Sequence, residues 1–191
     1  MGARASREPR NVVSVELRTD PGTTLRVPMS RSEFEGLSDA RFAEWLEGEC
    51  VVNPPVPRHG RIIARLIQAL GPAVPIDFEL YVELGVRTAD ADFVPDLTVA
   101  SATATGAWLL DPPPLVIEVL SPSTRSLDLG YKRDAYASHG CPWYWVVDPD
   151  GPSLTVLHNV AGRFVQEQRI VAAGATVNPI AAYLDLVTIC R

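Results

Sequence analysis

Three side chains, Asp96, Glu118 and Lys132, carry the chemistry this sequence offers. Glu118 sits inside residues 115–120, an apolar run flanked by prolines and a Ser-Pro break, the pattern of a strand buried on both faces. A carboxylate among Val116, Ile117, Val119 and Leu120 is tolerated only when it is paired, protonated or bound to a cation. Of the 17 basic residues, 16 are arginine and one, Lys132, is lysine. A guanidinium keeps its proton, whereas an ammonium held near an anionic centre can orient water and exchange one. Asp96 follows Pro95 on a returning strand, and a proline there marks an edge or bulge from which a carboxylate can be aimed at a site. Two carboxylates on adjacent strands hold a hard divalent cation through oxygen, and a nearby lysine positions water or stabilises phosphoryl charge. That is the outline of a phosphodiester-hydrolysing centre. A salt-bridged core, Glu118 with Lys132, satisfies the same residues without catalysis.

The elements that must position these residues can be read around them. Val13, Val15 and Leu17 alternate within residues 11–18, and with "TTLRV" they predict two opening strands or extended segments. Ser30 and Glu33 form a capping box, and Ser38 is expected to open a second short helix with Phe42, Trp45 and Leu46 on one face. Glu44, on that helix, is a candidate ligand if it packs beside the sheet. Residues 58–70 give the clearest helix, with Ile62, Ile63, Leu66, Ile67 and Leu70 in i, i+3, i+4 rhythm and Arg58, Arg61 and Arg65 on the other face. His59 reads as a capping or core histidine. Complete alternation from Ile76 to Val86 predicts one strand with a wet face, "TADAD" a turn, and "FVPDLTVA" the returning strand of a hairpin. After the Glu118 strand, Ser126 is expected to cap a helix ending at Gly140, with Leu129, Lys132, Tyr136 and His139 on one face. "CPWYWVVDPDG" reads as a strand and turn, and a hairpin is expected about Ala161 and Gly162.

Composition bounds the rest. With 191 residues, 47% of them hydrophobic, the chain suits one domain over residues 11–191 behind a flexible tail of residues 1–10. A net charge of -6 argues against non-specific coating of nucleic acid, though not against a local basic groove. Cys50, Cys141 and Cys190 are odd in number and widely spaced, which suggests neither disulfides nor a zinc knuckle. No apolar run approaches a membrane span, and "MGARASREPR" lacks the apolar core of a secretory signal, so a cytoplasmic protein is expected. Gly2 and Ser6 fit a myristoylation pattern, weighed against a plain tail.

"FVPDLTVA" followed by "PPLVIEVLSPSTRSLDLGYKRDAYASHGCPWYWVVDP" resembles the Uma-two family, a bacterial branch of the PD-(D/E)xK nuclease superfamily, and "EWLEGECVVNPPVPRHGRI" is similar to its upstream acidic segment and following histidine. The resemblance spans roughly residues 30–185. It implies an α/β (α+β) restriction-endonuclease-like core: a mixed sheet flanked by helices, with extra β-hairpins. It implies a Mg²⁺ or Mn²⁺ site at Asp96 and Glu118, the Val119 carbonyl as third ligand, and Glu44 as the acid of the first core helix. Leu120 stands where the motif calls for lysine, and Lys132 takes that role from the next helix. The function so implied is metal-dependent endonuclease action on nucleic acid, DNA foremost. The alternative is an inactive nuclease fold used for binding or assembly. Arg58, Arg61 and Arg65 are candidate backbone contacts. A homodimer is expected, with Trp143, Tyr144 and Trp145 at a two-fold interface or in the core.

Overall fold

A computed structural model describes residues 24–37, 43–54, 56–172 and 174–191. The expected tail, the segment 11–18, the Ser38 cap and Phe42 lie outside the described residues. In chain order the elements are β1 (Leu25–Pro28), α1 (Arg31–Glu35), β2 (Ala43–Leu46), β3 (Glu49–Val52), α2 (Pro57–Leu70), a 3-10 turn (Gly71–Ala73), β4 (Phe78–Val82), β5 (Gly85–Arg87), β6 (Ala91–Phe93), β7 (Leu97–Ser101), β8 (Trp108–Leu109) and β9 (Leu115–Val119). There follow α3 (Arg125–Leu127), a π-helical turn (Asp128–Lys132), α4 (Arg133–His139), β10 (Trp143–Asp148), β11 (Ser153–Val160), β12 (Arg163–Val171), β13 (Ala175–Val177), β14 (Ala182–Leu184) and α5 (Leu186–Cys190).

Two six-stranded sheets, ordered β12-β11-β10-β9-β7-β4 and β1-β3-β2-β6-β5-β8, carry the architecture. The larger is mixed, since β9 and β10 run parallel and its other neighbours antiparallel. Leu97, Leu115, Ile117 and Trp145 on one of its faces are covered by Ile62, Leu66 and Leu70 of α2 and by α5. Val116, Leu120, Tyr144 and Val146 on the other face meet Val86, Ala91 and Phe93 of the smaller sheet and Tyr136 of α4. β9 feeds both cores, which is why its five residues are all buried.

Several expectations hold: the capping box at Ser30, the helix from residue 58 onward, the strand around Glu118 and the hairpin at Ala161-Gly162, where both residues take positive φ. Others are corrected. The second helix is a hairpin, β2 to β3, turning at Glu47 and Gly48 with φ of 48° and 86°. Four apolar-rich residues fit a helical turn or a strand equally well, and the Gly at the turn decides. The long strand from Ile76 breaks instead, and Ile76 is almost fully exposed. β4 pairs with β7 in the larger sheet, while β5 pairs with β6 in the smaller, so the predicted hairpin is bent at Glu83 on one strand and at Pro95 on the other. Ser126 is not a cap, because the helix begins after Thr124. The π-turn inserts one extra residue per turn and rotates Leu129 outward while Asp128 and Lys132 point in. Tyr144 and Trp145 lie fully inside the chain's own core, which removes them from any two-fold interface.

Asp92, buried in the smaller sheet, is held by Arg31 and Arg87, and Trp108 packs flat against Gly85 beside them. A Cβ at Gly85 would stand 2.3 Å from the Trp108 ring. Gly85→Ala should therefore cost about 1–3 kcal/mol through overpacking, read as a drop of about 2–4 °C in Tm per kcal/mol. An unchanged melting curve would show that Trp108 moves aside freely.

Candidate metal and nuclease centre

The bend in the hairpin puts Asp96 at the mouth of the larger sheet. β7 pairs with β9 through Leu97 and Ile117, and extending that ladder by one residue sets Asp96 across from Glu118. Pro95 has no N–H to donate, so the regular ladder ends there, and the next amide of β9 turns to a side-chain acceptor. The Val119 N–H donates to Asp96 Oδ2 at 2.7 Å, and the Asp96 N–H to Glu118 Oε2 at 3.3 Å. Asp96 Oδ1 is 2.8 Å from His59 Nε2, in the first turn of α2. His59 is thus part of the centre, not merely a helix cap. Burial depresses the imidazole, but its hydrogen bond and charge contact with Asp96 outweigh this and raise it above its ordinary value.

Behind Asp96, Lys132 Nζ is 2.9 Å from Glu44 Oε1, 3.1 Å from Glu118 Oε1 and 3.3 Å from Asp128 Oδ1, with the four side chains at most 5% exposed. Tyr136 donates its hydroxyl to Glu118 Oε1 at 3.4 Å. Glu44 reaches this cluster from strand β2, not from a helix, and its Oε1 also accepts from the Val94 N–H at 3.0 Å. Asp128 and Tyr136 were not anticipated as members of the centre, although the i, i+4 spacing of Asp128 and Lys132 on one helix was a usable signal. Burial works against the Lys132 ammonium, yet Glu118, Glu44 and Asp128 hold it well above its ordinary value. Burial pushes Glu118 and Asp128 up as well, because one ammonium cannot neutralise three carboxylates in a dry site.

The arginine stripe divides. Arg58 pairs with Asp150 and donates to the Pro149 carbonyl, Arg65 donates to the carbonyls of Ile189 and Arg191, and Arg61 is exposed. Two of the three therefore serve contacts within the chain.

The donor set fits a hard divalent cation. Three carboxylates face one ammonium, leaving two negative charges, and Glu44 Oε2 and Asp128 Oδ1 are buried without a hydrogen-bond partner. No preassembled group of three acidic, His or Cys side chains in ligand geometry occurs among the described residues. Asp96 and Glu118 supply the oxygens that a cation would share.

The raised carboxyls set a pH dependence. Cation-free protein binds protons at Glu118 and Asp128 that the unfolded chain releases, so this contribution is full below the ordinary values of 4.5 and 3.8 and is lost as pH rises through the raised ones. Glu118→Gln should flatten that loss and raise Tm more at about pH 8 than at about pH 5. Parallel melting curves for parent and variant at both pH values would remove Glu118 from the proton balance.

Residues 31–186 match Uma2, a family described as "Putative restriction endonuclease". Among solved structures, the fold is similar to that of a "putative nuclease" from Anabaena variabilis, with a TM-score of 0.68 and 21% identity, over 85% of this chain and 98% of that one. No curated protein matches the sequence. The structural likeness carries the mixed α+β fold, and the family match runs through both sheets and every residue of the centre. The chain therefore belongs to the Uma2 family.

Proposed function

We propose that this chain is a Mg²⁺- or Mn²⁺-dependent endonuclease that hydrolyses phosphodiester bonds in DNA, acting as one domain over residues 11–191 in the cytoplasm. The observation that supports it is the charge balance of the buried centre. With His59 paired to Asp96, the three carboxylates around Lys132 carry, when ionised, two negative charges in excess, the charge of one divalent cation. Asp96, Glu118 and the Val119 carbonyl are the ligands this reading assigns. Bound there, Mg²⁺ or Mn²⁺ supplies Lewis-acid stabilisation of phosphoryl charge.

The chain's own residues do the rest. His59 keeps one Asp96 oxygen in place and the Val119 amide the other, so the carboxylate cannot turn away from the mouth. Tyr136 holds Glu118 from behind. Lys132 brings a protonated donor into a dry site where its charge acts on a phosphoryl oxygen with little screening. Arg61, exposed on α2, is the stripe residue best placed to meet a backbone phosphate. Cutting both strands would bring two copies together.

A second reading, an inactive nuclease fold used as a binding or assembly module, is favoured by the saturation of Lys132 with three carboxylates. Metal and cleavage assays separate the two. Mn²⁺ should raise Tm and EDTA lower it by mass action, and supercoiled plasmid should be nicked only with metal. No Mn²⁺ shift and no nicking would select the inactive module. Asp96→Asn should lose metal binding and cleavage together. Lys132→Ala should lower cleavage by roughly 10²-fold or more while metal binding holds or tightens, since a positive charge beside the cation is gone. Lys132→Arg separates charge from proton exchange: parental cleavage by this variant would make Lys132 a counter-charge only.

A further inference from the structure

The three acids around Lys132 differ in what else holds them. Glu44 is fixed to the Val94 amide. Glu118 also accepts from Tyr136 and from the Asp96 amide, and it is the acid shared with the cation in the reading above. Asp128 lies on the same helical run as Lys132, at the other end of the π-turn, and its buried Oδ1 has no hydrogen-bond partner, Lys132 Nζ at 3.3 Å being its ion-pair contact. Its backbone is pinned, since the carbonyl accepts from the Tyr144 hydroxyl at 2.9 Å and the N–H donates to Thr124 O at 2.9 Å.

As a stabilising element Asp128 is a poor choice. Glu44 and Glu118 already exceed the charge of one ammonium, and a third acid at 1% exposure adds desolvation cost. What it adds is a hold on Nζ that moves with the helix and that a cation at Asp96 and Glu118 does not draw upon. A cation there would repel the ammonium and take negative charge from Glu118, and the flexible four-carbon stem of lysine would let Nζ withdraw.

We propose that Asp128 is the positioning residue of this centre: it keeps the Lys132 ammonium beside the reacting phosphate when a cation occupies Asp96 and Glu118. The inference rests on the metal-dependent nuclease reading. Because Lys132 is the single lysine, protein grown on nitrogen-15 lysine gives one Nζ resonance, and this reads the ammonium directly. In the parent it should stay slowly exchanging with and without Mg²⁺. In Asp128→Asn it should remain so without Mg²⁺ but exchange faster with it, while turnover on plasmid at saturating Mg²⁺ falls roughly 10- to 100-fold at unchanged KM for plasmid, as a displaced group predicts. Tyr144→Phe, which removes the hydroxyl that donates to the Asp128 carbonyl and so loosens Asp128 without removing it, should shift both readouts the same way, and it decides the matter if Asp128→Asn does not fold. Parental exchange and turnover in whichever variant folds would overturn the proposal while leaving the nuclease reading intact. Turnover in Asp128→Asn restored to the parent's by raising Mg²⁺ would make Asp128 a contributor to cation binding alone and also overturn it. A parent that neither binds Mg²⁺ nor cuts would bring down the nuclease reading and this inference with it.

Discussion

One buried ammonium shared among three carboxylates is the constraint on which the rest of the molecule depends. Glu44 arrives from the smaller sheet, Glu118 from the larger, and Asp128 and Lys132 from the helix between them. Charges this dry survive only at close range, so the three elements must be held within a few tenths of an ångström of their places. The surrounding aromatic packing, Phe93 on Tyr136 and Tyr136 on Tyr144, supplies that rigidity and excludes water. The same exclusion that makes the centre costly also makes its field strong.

The bent hairpin is the second device. Its two strands pair with each other in both sheets, and the changeover falls at Glu83 and Pro95, next to Asp96. A bend that frees a carboxylate from the pleat lets it accept from a neighbouring strand and from α2 together, which a residue inside a regular ladder could not do. The turn after β10 is gripped from both sides, by Arg58 of α2 on Asp150 and by Arg125 of α3 on Asp148, so the helices on either side of the larger sheet are tied to one sheet end. That is why the arginines of α2 are less available than their periodicity suggests.

Local signals were legible in the sequence. The buried run around Glu118, the rhythm of α2 and the Ala161-Gly162 turn each depend on neighbours within a few residues, and each folds as read. Asp96 and Glu118, which meet across β7 and β9, stood out because each breaks its own local pattern. His59, read as a capping or core histidine, meets Asp96 37 residues away, a partner that nothing in its own helix discloses. Glu44 was placed on the wrong element, since the chain around it is too short for periodicity to separate helix from strand. The π-turn leaves no mark in residue type, so the helix face was drawn with Leu129 inside when it is outside. The bend at Glu83 was equally silent, because a glutamate at φ of 56° is set by the sheets that pull on it and not by its own preference.

A chain whose other cations are all guanidinium, and whose one lysine side chain is 4% exposed, offers no side-chain amine to its surroundings. Lysine-modifying enzymes meet a surface without side-chain targets, although that surface carries many guanidinium groups. A label found on Lys132 would therefore report on the opening of one buried centre and on no other part of the molecule.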